Sequence, residues 1–149
     1  MKIKKVLGIF LLSNIAIASF LSANPAMAAS VSVNHQSTSS ILLADIKTKY
    51  LKDADENLDS ALEAMNNAAE AESDADAVQY FDTAMEHLKN AATALKKGGM
   101  LDNAKKIENA IQALNDAVET DSEKQQDKLI EIAIDSLNQV DEALKAVLN

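Results

Sequence analysis

His87 is the histidine of this sequence with the strongest claim to chemistry, because it lies in a segment whose apolar spacing is helical. A metal or haem ligand on a helix needs further ligands three or four positions away, or on a facing helix. Those positions hold Thr83, Ala84, Asn90 and Ala91, none of which is a good ligand. Ala84 also replaces the glutamate of the Glu-x-x-His pattern of di-iron bundles. We therefore interpret His87 as a residue at the margin of a helical core, with metal binding as the alternative.

Acidic residues recur at four-residue intervals in two segments. This spacing places successive carboxylates on one side of a helix, although like charges at that distance destabilise the helix slightly. If the first and last helices are neighbours, the two rows flank one acidic face that can hold a hard cation weakly or meet a basic partner. A solvated surface is the alternative. The first row is Asp55, Asp59 and Glu63, and the second is Glu123, Asp127, Glu131 and Asp135. The candidate metal ligands are thus His87, Asp55, Asp59, Glu63, Asp127, Glu131 and Asp135.

Catalytic chemistry has little support in this sequence. It contains no cysteine, which excludes c-type haem attachment, thiolate zinc sites, iron–sulfur clusters and cysteine nucleophiles. It also has no Ser–His–Asp arrangement and no glycine-rich phosphate loop. Met65, Met85 and Met100 could ligate haem or copper, but Met65 and Met85 fall on apolar stripes where methionine is an ordinary core residue. We predict a protein that is not an enzyme and requires no cofactor, with a divalent metal ion as an option.

The first 28 residues have the three-part order of a secretory signal peptide. A basic start, MKIKK, precedes an apolar stretch of 16 residues and the small-x-small site Ala26–Met27–Ala28. A membrane anchor is the alternative, but a spanning helix needs about 20 apolar residues. We predict cleavage after Ala28 and a mature protein in the periplasm or the extracellular medium, without a stable membrane anchor.

The predicted mature chain is strongly acidic. All 23 acidic residues follow Ala28, whereas three of the 14 lysines precede it, so the net charge becomes 11 minus 23, or −12. The chain has no arginine. Such a surface repels nucleic acid and anionic lipid and favours cations or basic proteins as partners. We expect a monomer or a homodimer.

Residues 29–40, which include His35, are serine-rich and are interpreted as a flexible linker. From Ile41 to Asn149, apolar residues recur at alternating steps of three and four, which predicts amphipathic helices. The four stripes are Leu51, Ala54, Leu58, Ala61, Met65 and Ala68; Val78, Phe81, Met85, Leu88, Ala92 and Leu95; Ala104, Ile107, Ile111, Leu114 and Val118; and Ile130, Ala133, Leu137, Val140, Leu144 and Val147.

Turn signals separate these stripes. Ser73 begins a capping box, Gly98 and Gly99 supply a left-handed stop, and residues 120–125 offer caps for the last helix. Four helices joined by short turns run antiparallel to their neighbours, so the predicted fold is an all-α, up-down-up-down four-helix bundle over residues 41–149. The stretch Ile41–Ile46 either extends the first helix or forms a separate apolar flap.

Residues 80–118, YFDTAMEHLKNAATALKKGGMLDNAKKIENAIQALNDAV, resemble the small metal-binding protein family, and the similarity extends over most of the mature chain. Members of that family carry a signal peptide and form an alanine-rich four-helix bundle with a glycine-rich turn in mid-chain, so the resemblance implies this fold. They bind divalent metals through many histidines, in repeats of the form lysine–histidine–alanine or lysine–histidine–leucine. Here the matching stretch reads KKIENAIQAL, without those histidines. The resemblance therefore implies the fold but not the metal sites, and leaves His87 as the one candidate remnant.

A second segment, ADIKTKYLKDADENL at residues 44–58, resembles the first helix of the soluble four-helix b-type cytochromes. That family requires a methionine near this start and a histidine near the C-terminus. This chain has Tyr50 and Leu51 in the first region and EALKAVLN at the end. Both axial ligands are missing, so haem binding is not expected.

These observations lead to one prediction and one alternative. The prediction is a non-enzymatic, exported binding protein that holds or buffers divalent cations weakly. The alternative is a metal-free structural, chaperone-like or protein-interaction module that uses its acidic face.

Overall fold

The computed structural model describes residues 2–13 and 38–149. Within these ranges the regular secondary structure is entirely α-helical, which confirms the predicted all-α class. The helices are α1 (Lys2–Ser13), α2 (Thr38–Glu70), α3 (Asp74–Gly98), α4 (Leu101–Glu119) and α5 (Glu123–Leu148). The predicted cleavage site after Ala28 and most of the predicted linker lie outside the described residues.

Helices α2 to α5 pack side by side in chain order. α2 packs most extensively against α3 and α4 against α5, while α3 also contacts α4 and α2 also contacts α5. The α2–α3 pair is antiparallel. Lys97 Nζ lies 5.5 Å from the centre of the Tyr50 ring, and Asn57, later in α2, bonds to His87, which comes earlier in α3 than Lys97. Gln126 of α5 is buried and donates from Nε2 to the carbonyl oxygen of Ala117 at 2.9 Å. That bond satisfies a carbonyl in the last turn of α4 that has no partner within its own helix.

The core follows the predicted apolar stripes. Almost all the stripe residues are buried, whereas Val78, Ile111 and Val118 are half-buried and Val147 is exposed. Alanines fill a second row of buried positions beside the larger side chains, because a methyl group lets neighbouring helices approach closely. These additional alanines are Ala64, Ala77, Ala84, Ala91, Ala94, Ala110, Ala113 and Ala117.

The starts of α3 and α5 match their local sequence signals. The amide of Asp76 donates to Ser73 Oγ at 3.1 Å, and Ser73 Oγ donates in turn to the Asp76 carboxylate at 2.6 Å. At the start of α5, the amide of Gln125 donates to Ser122 Oγ. These caps satisfy amides that have no carbonyl partner in the first helical turn.

The two glycines after Lys97 have different roles, so the prediction that both form a left-handed stop is wrong for Gly98. Gly98 is the last residue of α3 and is buried, and a Cβ atom placed on it would lie 2.5 Å from Leu51 Cδ2. It therefore permits the close approach of α2 and α3. Gly99 alone adopts positive φ, at 88°, and its amide bonds to the carbonyl of Lys96.

Helix α2 begins at Thr38, before the predicted start of the bundle, so the Ile41–Ile46 stretch extends the first bundle helix and is not a separate flap. We call residues 38–49 the α2 extension. Its residues 42–49 are all exposed, including Leu42, Leu43 and Ile46 at 61%, 54% and 49%. The extension thus projects past the packed part of α2, which begins at Leu51.

Helix α1 lies in the segment predicted to be a signal peptide, and it packs against all four other helices. Val6 and Leu7 are fully buried there, and Ile3 is 8% exposed. None of the helices in the described ranges has the length and apolar character needed to span a bilayer. Cleavage after Ala28 stays a prediction.

Replacing Gly99 with alanine should lower the free energy of unfolding by about 1 kcal/mol, because a Cβ atom disfavours left-handed backbone. The Gly99→Asn variant should lose less, since asparagine tolerates this conformation best among residues with side chains. No atom lies within 4 Å of the added Cβ, so a steric clash does not contribute. Urea unfolding monitored by circular dichroism measures both variants. Equal stability of the wild-type and alanine proteins would contradict the role assigned to Gly99.

Candidate functional site

The most unusual electrostatic environment lies where α2 meets α5. Asp55 and Asp59 of α2 are within electrostatic reach of Asp141 and Lys145 of α5. Lys145 Nζ donates to Asp141 Oδ2 at 2.6 Å, and the Asp141 side chain is only 15% exposed. We call these four residues the α2–α5 carboxylate cluster. It places three carboxylates beside a single ammonium group.

The carboxylates of α2 are shifted towards their neutral form. Partial burial raises the pKa of Asp55 above its ordinary value, and the charges of Asp59 and Asp141 raise it further. Burial and the charge of Asp141 also raise the pKa of Asp59, although Asp59 as a whole residue stays exposed. Lys145 opposes both shifts. Its hydrogen bond to Asp141 raises the pKa of Lys145 itself.

The structure only partly reproduces the predicted acidic face. Asp55 and Asp59 do lie on the side of α2 that meets α5, but the acidic residue that reaches them is Asp141, which belongs to neither predicted row. The remaining members of the rows are exposed: Glu63 on α2 and Glu123, Asp127, Glu131 and Asp135 on α5.

Asp141 was missed because its importance depends on the alignment of two helices distant in sequence. The signal available was its four-residue spacing from Lys145, which predicts an ion pair on one helix but says nothing about α2.

Among the residues that the structure describes, no group of three or more His, Cys, Asp or Glu side chains is arranged to hold a metal ion.

His87 lies away from the α2–α5 carboxylate cluster, at the junction of α2 and α3. The ring is half-buried, and with the Nδ1–H tautomer it donates to Asn57 Oδ1 at 3.1 Å. Asn57 in turn donates from Nδ2 to the carbonyl oxygen of Asp53 at 2.7 Å. His87 thus joins two helices through a hydrogen-bonded side-chain pair at the margin of the core.

An open cleft of about 290 Å³ runs along the same side of α2 and α3. Its walls are mainly polar and include both an acidic pair and a lysine, so it can form hydrogen bonds with a polar group but encloses little apolar surface. Its lining consists of Tyr50, Asp53, Glu56, Asn57, Asn90, Thr93, Ala94 and Lys97.

The methionines considered as ligands have core surroundings. Met65 and Met85 are buried in the apolar core, and Met100 is half-buried against it. These contacts are those of residues that fill space between helices.

Comparison with known proteins gives no match: no family model fits the chain, and neither the curated proteins nor the solved structures include a significant relative. The resemblances to the small metal-binding proteins and to the four-helix cytochromes therefore stay predictions.

Replacing Asp55 with asparagine should raise the melting temperature at neutral pH. A raised pKa in the folded state means that the stability contributed by the protonated group is lost as the pH rises through that pKa. The gain should therefore be present at pH 7 and disappear as the pH falls towards the ordinary value of 3.8. It should amount to only a few degrees, because solvent screens the partly exposed group.

The matched control is Asp82→Asn, which neutralises an exposed carboxylate on α3. Thermal unfolding at several pH values compares the two variants with the wild-type protein. A melting temperature that falls at pH 7 only in the Asp55 variant would show that the ionised Asp55 stabilises the fold, contrary to this account.

Replacing His87 with alanine should lower stability by about 1 kcal/mol and leave divalent-metal affinity unchanged. Combining it with Asn57→Ala should give a coupling energy of about 0.5–1.5 kcal/mol, because the two side chains share one hydrogen bond. Urea unfolding supplies the stabilities, and zinc titration by calorimetry supplies the affinity. Zinc binding that disappears only in the His87 variant would overturn the structural interpretation.

Proposed function

We propose that this protein is an exported, non-catalytic binding module built on an up-down-up-down four-helix bundle. Two observations support that topology: helices consecutive in the chain from α2 to α5 contact each other, and α2 and α3 are antiparallel. The basic start, the apolar stretch and the small-residue site in the first 28 residues support export to the periplasm or medium.

The observation that carries the binding function is the α2 extension. It exposes Leu42, Leu43 and Ile46 within two helical turns. These residues precede the packed part of α2, which begins at Leu51. Clustered apolar side chains on an amphipathic helix favour contact with another protein. The net charge of −12 expected after cleavage, 11 lysines against 23 acidic residues, disfavours nucleic acid and anionic membranes as that partner.

Weak cation binding is the second candidate function. Its basis is the charge of the α2–α5 carboxylate cluster, where Asp55, Asp59 and Asp141 repel one another, although these three are not arranged as the ligands of a metal site. A divalent cation would relieve that repulsion. The interaction module is favoured because Lys145 already supplies a positive charge at this place.

A native mass spectrum of the protein recovered from its own periplasmic or secreted fraction tests the proposal. Denaturing conditions should give the mass of a chain beginning at Ala29, and native conditions should add the mass of a second polypeptide. A processed chain that carries no second polypeptide under any native condition would contradict the binding function.

A calcium titration tests the second candidate. If cations bind at the α2–α5 carboxylate cluster, calcium should raise the melting temperature of the wild-type protein and have a smaller effect on Asp59→Asn. The exposed Asp82→Asn variant serves as the control. The same calcium response in all three proteins would mean that the cluster is not the binding place.

A further inference from the structure

The two ends of the bundle carry complementary features. At one end, α1 contacts α2, α3, α4 and α5, beside the α2–α3 turn and the start of α5. At the opposite end, the α2 extension lies beside the end of α3, where the carbonyl of Lys47 is near Gly98. One end therefore binds a helix, and the other end presents a helix.

The surface that binds α1 is apolar in its interior. Val6 and Leu7 have no exposed area and Ile3 has 8%, and all three belong to the same core cluster as the residues of the bundle. Removal of α1 would expose the atoms that these side chains now cover. We call this surface the α1-binding surface.

The rim of the α1-binding surface is acidic. Lys4 Nζ donates to the carbonyl oxygen of Glu72 at 3.1 Å and lies 3.8 Å from the Asp74 carboxylate. Lys5 pairs with Glu123 at the start of α5. The surface thus fits an apolar helix that carries lysines beside its apolar side chains.

The α2 extension, like α1, combines apolar side chains with lysines, although it also carries the exposed Asp45 and its lysines follow its apolar residues. Its exposed apolar residues Leu42, Leu43 and Ile46 are followed by the exposed Lys47 and Lys49. Residues 38–49 also match α1 in length, which is 12 residues or about 18 Å of helix. Docked in the opposite direction to α1, the extension can therefore place apolar side chains in the interior while its ammonium groups meet the acidic rim.

We propose that the α2 extension of a second copy occupies the α1-binding surface once α1 has been removed. The inference rests on the proposed function, because it requires the cleavage of residues 1–28. Donor and acceptor surfaces lie at opposite ends of the molecule, so the contact is heterologous and propagates head to tail from one copy to the next. In the full-length chain α1 covers the acceptor surface and keeps the protein monomeric.

Sedimentation velocity over a range of concentrations compares the full-length chain with the processed chain from the exported fraction. The full-length chain should sediment as a monomer, and the processed chain should form dimers and longer species as its concentration rises. A processed chain that stays monomeric overturns the inference but leaves export intact. An exported chain that retains α1, identified by its denatured mass, overturns both, because the acceptor surface is never vacated.

Matched variants of the processed chain identify the surfaces. Leu43→Glu disables the donor helix, and Asp74→Lys combined with Glu123→Lys disables the acceptor rim. Each variant alone should sediment as a monomer, whereas a mixture of the two should form a 1:1 dimer that does not grow, since each contributes its intact surface. Ile132→Glu, which changes an exposed apolar residue of α5, should assemble like the wild type.

Symmetric pairing of two α2 extensions predicts the opposite pattern. The rim variant alone would then dimerise, and adding the Leu43→Glu variant would not create a new dimer. That outcome overturns the head-to-tail inference, as does assembly that survives Leu43→Glu.

Discussion

Burial of one apolar stripe on each of α2 to α5 is the constraint on which the rest of this structure depends. The chain contains few aromatic residues, so leucine, isoleucine and methionine supply most of the buried area. Alanines between them keep the helices close enough for those side chains to touch. Gly98 allows α2 and α3 to approach more closely still, because Leu51 occupies the space that a side chain at position 98 would need.

Close packing also decides where the charges lie. With the stripes turned inwards, most acidic side chains are in solvent, where their mutual repulsion is screened. The exception is the α2–α5 carboxylate cluster, where Asp141 is largely buried and Asp55 and Asp59 are partly desolvated. Lys145 keeps Asp141 paired, so the cost of bringing these acidic groups together falls mainly on Asp55 and Asp59. Neutral residues in place of Asp55 and Asp59 would make the folded state more stable, so stability alone does not explain these two carboxylates.

The features that the sequence predicts well are those set by neighbouring residues. The cap at Ser73 and the left-handed turn at Gly99 depend on atoms within one helical turn, and both are found where expected. The link between Asp141 and Asp55 depends instead on how α5 aligns with α2, which no local pattern encodes. The same holds for Gly98. The pair Gly98–Gly99 looks like a turn in the sequence, but the position of Gly98 is decided by Leu51 on another helix.

Helix α1 shows why one composition can serve two purposes. Export requires a short basic segment followed by an apolar one, and the end of the bundle offers an apolar interior with an acidic rim. If the first 28 residues direct export, as proposed, the same basic and apolar residues also fit this end of the bundle. The α2 extension repeats that combination of apolar residues and lysines within the same chain, at the end of the bundle that α1 cannot reach. Under the proposed processing, removal of α1 opens a surface that the apolar residues and lysines of the α2 extension also suit, so cleavage and association become coupled through a single binding surface.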